Sequence, residues 1–337
     1  MSEAESSVDA KCPVPQLRLL GYMSGRPHIR LVHVPEAVVE PAPVPLNGSG
    51  EAFDFALRRD GWIAFGGFTV WGMPVPLEGE AFKVGRSFGF LRSENPRAIW
   101  VTDGHRSAEE GQAFLEYDGV ARTVVDRVDV PRGYGMFDAR GTDAFVRDRQ
   151  DCEWLLDRRS GRLSPISYDD VPALLGERRL CGGREWVFID DQGARTPVDP
   201  LPEGQPALSE FGSFSPDWRY FAVDLDVSDR SRVIPSMIDI AHGLVRYEPV
   251  PHRLVIIDCL NGAIAVAEGV FDDFASEFVW SLDSEWVVFS TPFAPHGIWA
   301  CSMRDLRLEW ISFGRRHAPG PLVNVSDLVP PLPLDAM

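Results

Sequence analysis

Basic residues are in short supply in this 337-residue chain, with 33 Lys and Arg against 50 Asp and Glu and a formal net charge of -17. Binding nucleic acid needs a basic face, and so does attraction to an anionic membrane surface, so neither is expected as a partner. A solvated acidic surface is the simplest use of the surplus. No apolar run of about 18 residues occurs, which excludes a transmembrane helix. The opening stretch, MSEAESSVDAKCPVP, lacks the apolar region of a secretory signal. Cysteine is scarce as well: Cys12, Cys152, Cys181, Cys259 and Cys301 are odd in number and isolated, with no CxxC pair. Disulfides and a structural zinc site are therefore not expected, and the chain reads as cytoplasmic.

Catalytic signatures are missing too. No nucleophile elbow is expected, and there is no GxxxxGK[ST], GxGxxG or HExxH. The acidic pairs Asp169-Asp170, Asp190-Asp191 and Asp272-Asp273 would point to opposite faces of a strand, so they read as turn chemistry rather than acid–base machinery. Long amphipathic helical patterns are absent. One apolar segment has helix-like spacing, IPSMIDIAHGLVRY, residues 234–247.

What is present is repetition. The 28 prolines and 30 glycines are spread along the chain, as many short elements joined by turns require. A hairpin pattern, a β-rich run followed by a tight turn and a second run, starts at His28, Thr69, Gln112, Cys152, Glu185, His252 and Gly297. Asp118-Gly119, Gln192-Gly193 and Asn261-Gly262 would supply the positive φ that such turns demand. Before each hairpin lies another strand-like run (LLGYM, WIAFGGF, AIWVTD, DAFVRD, RRLCG, YFAVDL and WVVFST), and before most of these a further short one. Four strands per unit, repeated seven times, describe an all-β, seven-bladed β-propeller. Six blades is the alternative, because the fifth unit is short and the first is incomplete. LVNVSDL, residues 322–328, is expected to complete the first blade, tying the two ends of the chain together and removing an exposed edge. The propeller would span residues 13–329, between a flexible N-terminal stretch of residues 1–12 and a tail of residues 330–337. The tryptophans, Trp62, Trp100, Trp154, Trp186, Trp286 and Trp299 among them, fall in strands and suit blade packing.

One phrase is written twice, about 66 residues apart: FGSFSPDWRYFAVD from Phe211 and FVWSLDSEWVVFST from Phe278. Its Ser and Asp can cap the turn between the first and second strands of a blade. Here the chain resembles the TolB-type (WD40-like) propeller repeat, whose marker S-P-D-G is matched at Ser215-Pro216-Asp217 and Ser281-Leu282-Asp283, both without the usual glycine. The resemblance implies a propeller and a habit of binding proteins or small molecules. It carries no catalytic residues, and no hydrolase-sized region follows the repeats.

Six of the seven histidines are expected on one face of the propeller. His28, His105, His242, His252 and His296 fall in loops between second and third strands, and His317 in the closing loop, with only His33 inside a strand. His242, His252 and His296 are the candidate catalytic or metal-ligating side chains, with Asp226, Asp229, Asp239 and Glu248 near them in sequence. No particular metal or cofactor is indicated. The insertion from Asp226 to His252 carries Met237, Ile240 and Leu244 as the anchors of an apolar stripe that either meets a partner or caps the propeller's own channel, and His28 and His105 share its face. Two readings stay open. The chain is a non-catalytic scaffold holding another protein, or a small molecule, on that loop face. Alternatively it is an enzyme (a lyase, hydrolase or cyclase) with a His/carboxylate or metal site at the mouth of the channel.

Overall fold

The computed structural model describes residues 16–23, 29–41, 55–67, 69–77, 79–87, 89–103, 111–167, 173, 176–181, 186–200, 208–227, 250–272, 275, 277–291, 297–313 and 319–328. Every regular element among them is a β-strand, β1 to β28, and the strands form seven small antiparallel sheets arranged as a seven-bladed propeller. The six-bladed alternative is thereby excluded.

Blade 1 holds β1 (Leu17–Met23), β2 (Ile29–Val34) and β3 (Val38–Pro41), with β28 (Pro319–Asn324) as its inner strand. Blade 2 is β4 (Phe55–Arg59), β5 (Trp62–Gly66), β6 (Thr69–Pro74) and β7 (Phe82–Arg86). Blade 3 is β8 (Phe90–Arg92), β9 (Ala98–Thr102), β10 (Gln112–Asp118) and β11 (Thr123–Val130). Blade 4 is β12 (Tyr134–Arg140), β13 (Asp143–Asp148), β14 (Glu153–Asp157) and β15 (Leu163–Pro165). Blade 5 shows three strands, β16 (Arg178–Cys181), β17 (Val187–Asp190) and β18 (Arg195–Pro197). Blade 6 is β19 (Leu208–Phe214), β20 (Tyr220–Asp226), β21 (Pro251–Asp258) and β22 (Ile264–Val266), with β23 (Phe271–Asp272) paired to the start of β21. Blade 7 is β24 (Glu277–Trp280), β25 (Trp286–Ser290), β26 (Gly297–Ser302) and β27 (Leu308–Ser312).

The expected closure is present. β28 runs antiparallel to β1, with Leu19 opposite Asn324 and Leu20 opposite Val323. Asn324 Nδ2 donates to Trp280 O of blade 7 at 2.8 Å, and Arg58 of blade 2 grips Asp327 with both nitrogens. The C-terminal strand therefore fastens blade 1 to both neighbours.

A propeller has no single core. Its apolar side chains lie in seams between blades, and this decides the residue pattern of the middle strands. β5 and β25 are buried at all five positions. Along β5, Ile63 and Phe65 enter the seam with blade 1, and Trp62 and Ala64 the seam with blade 3. Along β25, Trp286 and Val288 face blade 1 while Val287 and Phe289 face blade 6. Alternation is still at work, but both faces are apolar, so the strands read as continuous hydrophobic runs.

The turns show why two glycines are needed. Gly262 has φ +77°, and a Cβ there would lie 1.9 Å from Pro197 O of blade 5. Gly119 does not adopt the positive φ expected of it; the left-handed residue of that turn is Arg122, at φ 55°. Gly119 is required for space instead, since a Cβ would lie 2.0 Å from the Trp62 ring.

Candidate functional site

The two faces of the propeller differ in their connections. Most first-to-second and third-to-fourth strand turns have two to five residues, and several are closed by their own polar groups; residues 75–81 of blade 2 are the longer exception. In blade 6, Ser215 Oγ donates to Asp217 Oδ1 at 2.6 Å and accepts from Tyr220 N at 2.9 Å, and Arg219 N donates to Asp217 Oδ1 at 3.2 Å. Blade 7 repeats this cap with Ser281, Asp283, Trp286 and Glu285. Burial alone would raise the Asp217 carboxyl, but these hydrogen bonds, that from Ser215 first, hold it below the usual carboxylate range. Where the S-P-D-G marker has glycine, Trp218 and Ser284 stand at φ 57° and 60°. Both side chains are used: Trp218 lies 4.9 Å from Phe214 with the rings tilted by 36°, and Ser284 hydrogen-bonds to Asp217 across the blade seam.

The opposite face receives the second-to-third strand connections and, apart from the one into blade 5, the blade-to-blade connections. The longest is residues 227–250, between β20 and β21, and residues 42–54 and 198–207 emerge on the same side. Among the candidate residues on this face the structure describes Asp226 and His252 alone. His242, His296, Met237, Ile240, Leu244, His28, His105, His317, Asp229, Asp239 and Glu248 lie outside the described residues.

His252 is not in a loop, as its place in the sequence suggested; it is the second residue of β21, opposite Asp226 and paired on its other side with Phe271. The ladder between β20 and β21 runs to Asp226, so the insertion starts later and returns earlier than the hairpin pattern implied. His33 does lie in a strand, buried, 3.4 Å from Glu40.

Strand alternation gives His252 its neighbours. Ala222 and Leu254 face the seam between blades 6 and 7, so Asp224 and His252, two residues further along their strands, share that side. Asp224 is completely buried in a stretch that is otherwise Phe, Ala, Val and Leu. Its Oδ2 lies 2.7 Å from His252 Nδ1, within ion-pair distance, but the imidazole N–H is not aimed at it as a hydrogen bond, and neither carboxylate oxygen has a hydrogen-bond partner. The Phe271 ring lies 6.0 Å from the imidazole. A histidine and an unsatisfied carboxylate are thus held side by side at the root of the longest connection. A carboxylate beside an imidazole is the pairing that orients histidines in many catalytic and metal sites. Among the described residues no group of three His, Cys, Asp or Glu is placed to hold a metal ion.

A second polar cluster, unforeseen from the sequence, occupies the tight-turn end of the channel. Arg59, Arg92 and Arg140 are the last residues of β4, β8 and β12, the inner strands of three consecutive blades. Arg59 Nη2 donates to Ser93 O and Asn95 O of blade 3, and Arg140 Nη1 to Ala173 O. Arg92 reaches Glu177 of blade 5 at 2.9 Å and lies 5.3 Å over the Trp218 ring of blade 6. Burial raises the Glu177 carboxyl above its usual range, against the pull of Arg92 and Arg59. Burial, and then the neighbouring Arg92 charge, lowers Arg59. These groups stitch blades together across the channel end. Aligning the last residue of each inner strand would have found the three arginines.

The letters G-x-S-x-G do occur, at Gly85–Gly89, contrary to the expectation that no such elbow exists. Ser87 is nevertheless no nucleophile: it is 1% exposed, between two strands, and its Oγ donates to Gly89 O and accepts from Thr102. An exposed strand-to-helix turn is what the elbow requires.

No protein-family model matches the chain, and no curated protein does. Solved structures match by shape. A candidate 6-phosphogluconolactonase from Bacteroides fragilis is 11% identical with a TM-score of 0.50, covering 96% of this chain and 100% of that one. The β-propeller domain of Myceliophteria thermophila Cps50 (Swd1) is 14% identical with a TM-score of 0.46, covering 80% and 89%. An oligogalacturonate lyase in complex with manganese is 11% identical with a TM-score of 0.46, covering 89% and 86%. At these identities the likeness is one of fold alone. No helix among the described residues is long and apolar enough to cross a membrane.

Proposed function

We propose that this chain is a propeller scaffold that binds another protein on the face bearing its long connections, with the segment between Asp226 and His252 as the contacting arm. One observation carries the reading: the longest connection, residues 227–250, joins strands on one side, while most turns of the other side have two to five residues and those of blades 6 and 7 are capped by their own Ser and Asp. Loops on a rigid frame are where binding residues concentrate, and a long loop adds little closure entropy. The apolar residues Met237, Ile240 and Leu244 are the anchors. The TolB-type assignment belongs to this proposal, supported by the Ser–Asp cap found at both copies of the phrase.

The test is capture of partners from the native host by the tagged wild type and by the triple variant Met237→Asp, Ile240→Asp, Leu244→Asp. Loss of one specific partner at unchanged melting temperature supports the arm. A large fall in melting temperature would mean that these residues are core and would overturn it.

The enzyme reading has one observation of its own, the Asp224–His252 pair beside the long connections. Elemental analysis bears on it. Stoichiometric metal in the purified protein, lost in His252→Ala, would turn the proposal toward a catalytic site at this seam.

A further inference from the structure

The outer strands of the blades are short, with one exception. β3, β7, β15, β18, β22 and β27 have three to five residues, whereas β11 has eight. Among the described residues nothing pairs with the outer edge of β11. Such an edge is a template for another strand. Val124 and Val125 are 46% and 49% exposed at its start, with Val120 at 47% in the preceding turn. Val128 is buried in the seam with blade 4. Arg127 and Asp129 lie on the other face, exposed, with Arg127 Nε and Nη2 bonded to Asp129 Oδ1 at 3.0 and 2.8 Å and its Nη1 to Asp103 Oδ2 of β9's end at 3.2 Å.

We propose that β11 pairs antiparallel with β11 of a second copy of this chain, about a two-fold axis through Val128. The charges select both the partner and the register. Opposed residues in a sheet share a face, and a two-fold axis normal to the sheet preserves each residue's face, so the axis must pass through a residue. An axis at Asp126, Arg127 or Asp129 would set that charge against its own copy. An axis at Val128 sets Arg127 opposite Asp129 of the partner subunit, and Asp129 opposite Arg127 of the partner subunit. Four charges then alternate in sign along the two strands, with Asp103 beside each Arg127. Residues directly opposite lie about 5 Å apart at Cβ, nearer than second neighbours along one strand, so the cross-strand pairs improve on the in-strand pair.

A bulge at Val125 ends the regular part of β11, since Glu116 pairs with Asp126 and Tyr117 with Val124, so the proposed ladder covers Asp126–Val130 and the exposed valines lie beyond it. Arg158 Nη2 donates to Arg127 O at 3.3 Å, taking one of that carbonyl's two lone pairs and leaving the other for the ladder.

Sedimentation equilibrium of the full chain, from about 1 to 100 μM, tests the pairing, because the dimer population follows protomer concentration. The wild type should dimerise. Arg127→Asp and Asp129→Arg should each weaken association about tenfold or more, because like charges then face each other. An equimolar mixture of the two single variants should form a heterodimer, since its cross-strand pairs again have opposite signs. The double variant should dimerise like the wild type, and all chains should melt alike, the altered positions being exposed. A wild type that stays monomeric throughout overturns the proposal. So does a dimer that both single variants retain, or a mixture that fails to associate.

Discussion

Removing residues 320–337 deletes all but the first residue of the closing strand β28, and the cost can be worked from what that strand buries. Leu322, Val323 and Val325 are 3%, 8% and 0% exposed, the first in the seam with blade 7 and the others in the seam with blade 2. At about 1.5–3 kcal/mol for each buried aliphatic side chain, the three together contribute on the order of 5–9 kcal/mol. The truncation also exposes the inner edge of β1, leaves Trp280 O without the Asn324 amide, and frees Arg58 from Asp327. A domain is typically stable by about 5–15 kcal/mol, so the truncated chain should sit at or beyond the edge of unfolding. Urea denaturation followed by tryptophan fluorescence reads this directly, with truncation after Leu328, which keeps β28, as the control. A chain lacking residues 320–337 with the same urea midpoint as the full chain would refute the closure and the seam account with it.

Gly262→Ala should destabilise by several kcal/mol, because the methyl meets Pro197 O and the residue is held at positive φ; a midpoint within error of the wild type would contradict the blade 5–6 contact. Glu177 binds its proton more tightly folded than unfolded, so it opposes folding as pH rises from the unfolded value, about 4.3, through the raised folded value. Glu177→Gln, which never ionises, should therefore gain stability relative to the wild type between about pH 4 and pH 7 and converge with it below, as paired denaturation curves across pH would read. Burial pushes the thiols of Cys259 and Cys301 up to about 12, so a thiol reagent at pH 8 should label exposed Cys152 first and these two only on unfolding, as peptide mapping would show. Ser281→Ala should cost about 1–3 kcal/mol, since it leaves the buried Trp286 N–H without its acceptor, and thermal melting of the variant checks it.

The sequence by itself determined the strands and their hairpins and favoured seven blades over six, a choice that the seven sheets then decided. These follow from local rules: turn residues such as Gly193 and Gly262 at positive φ, and β-rich runs such as WIAFG and WVVFS that carry apolar residues on both faces. Even the closure was legible, because LVNVSDL is a strand-like run left over after the last full unit, matching the strand missing from the first. The site was not legible in the same way. Asp224 and His252 are distant in sequence, and they meet only because two strands pair in one register and both residues turn into the same seam. A hairpin pattern cannot say where a ladder stops, so His252 read as loop. Arg92 reaches Glu177 and Trp218 across the channel end, a distance set by closing the ring and not by any one repeat. Trp218 and Ser284 replace the expected glycines because of contacts that exist only in the assembled ring: Arg92 over the indole, and Asp217 bonded across the seam. Periodicity reports which face a residue is on; only the closed ring decides what that face meets.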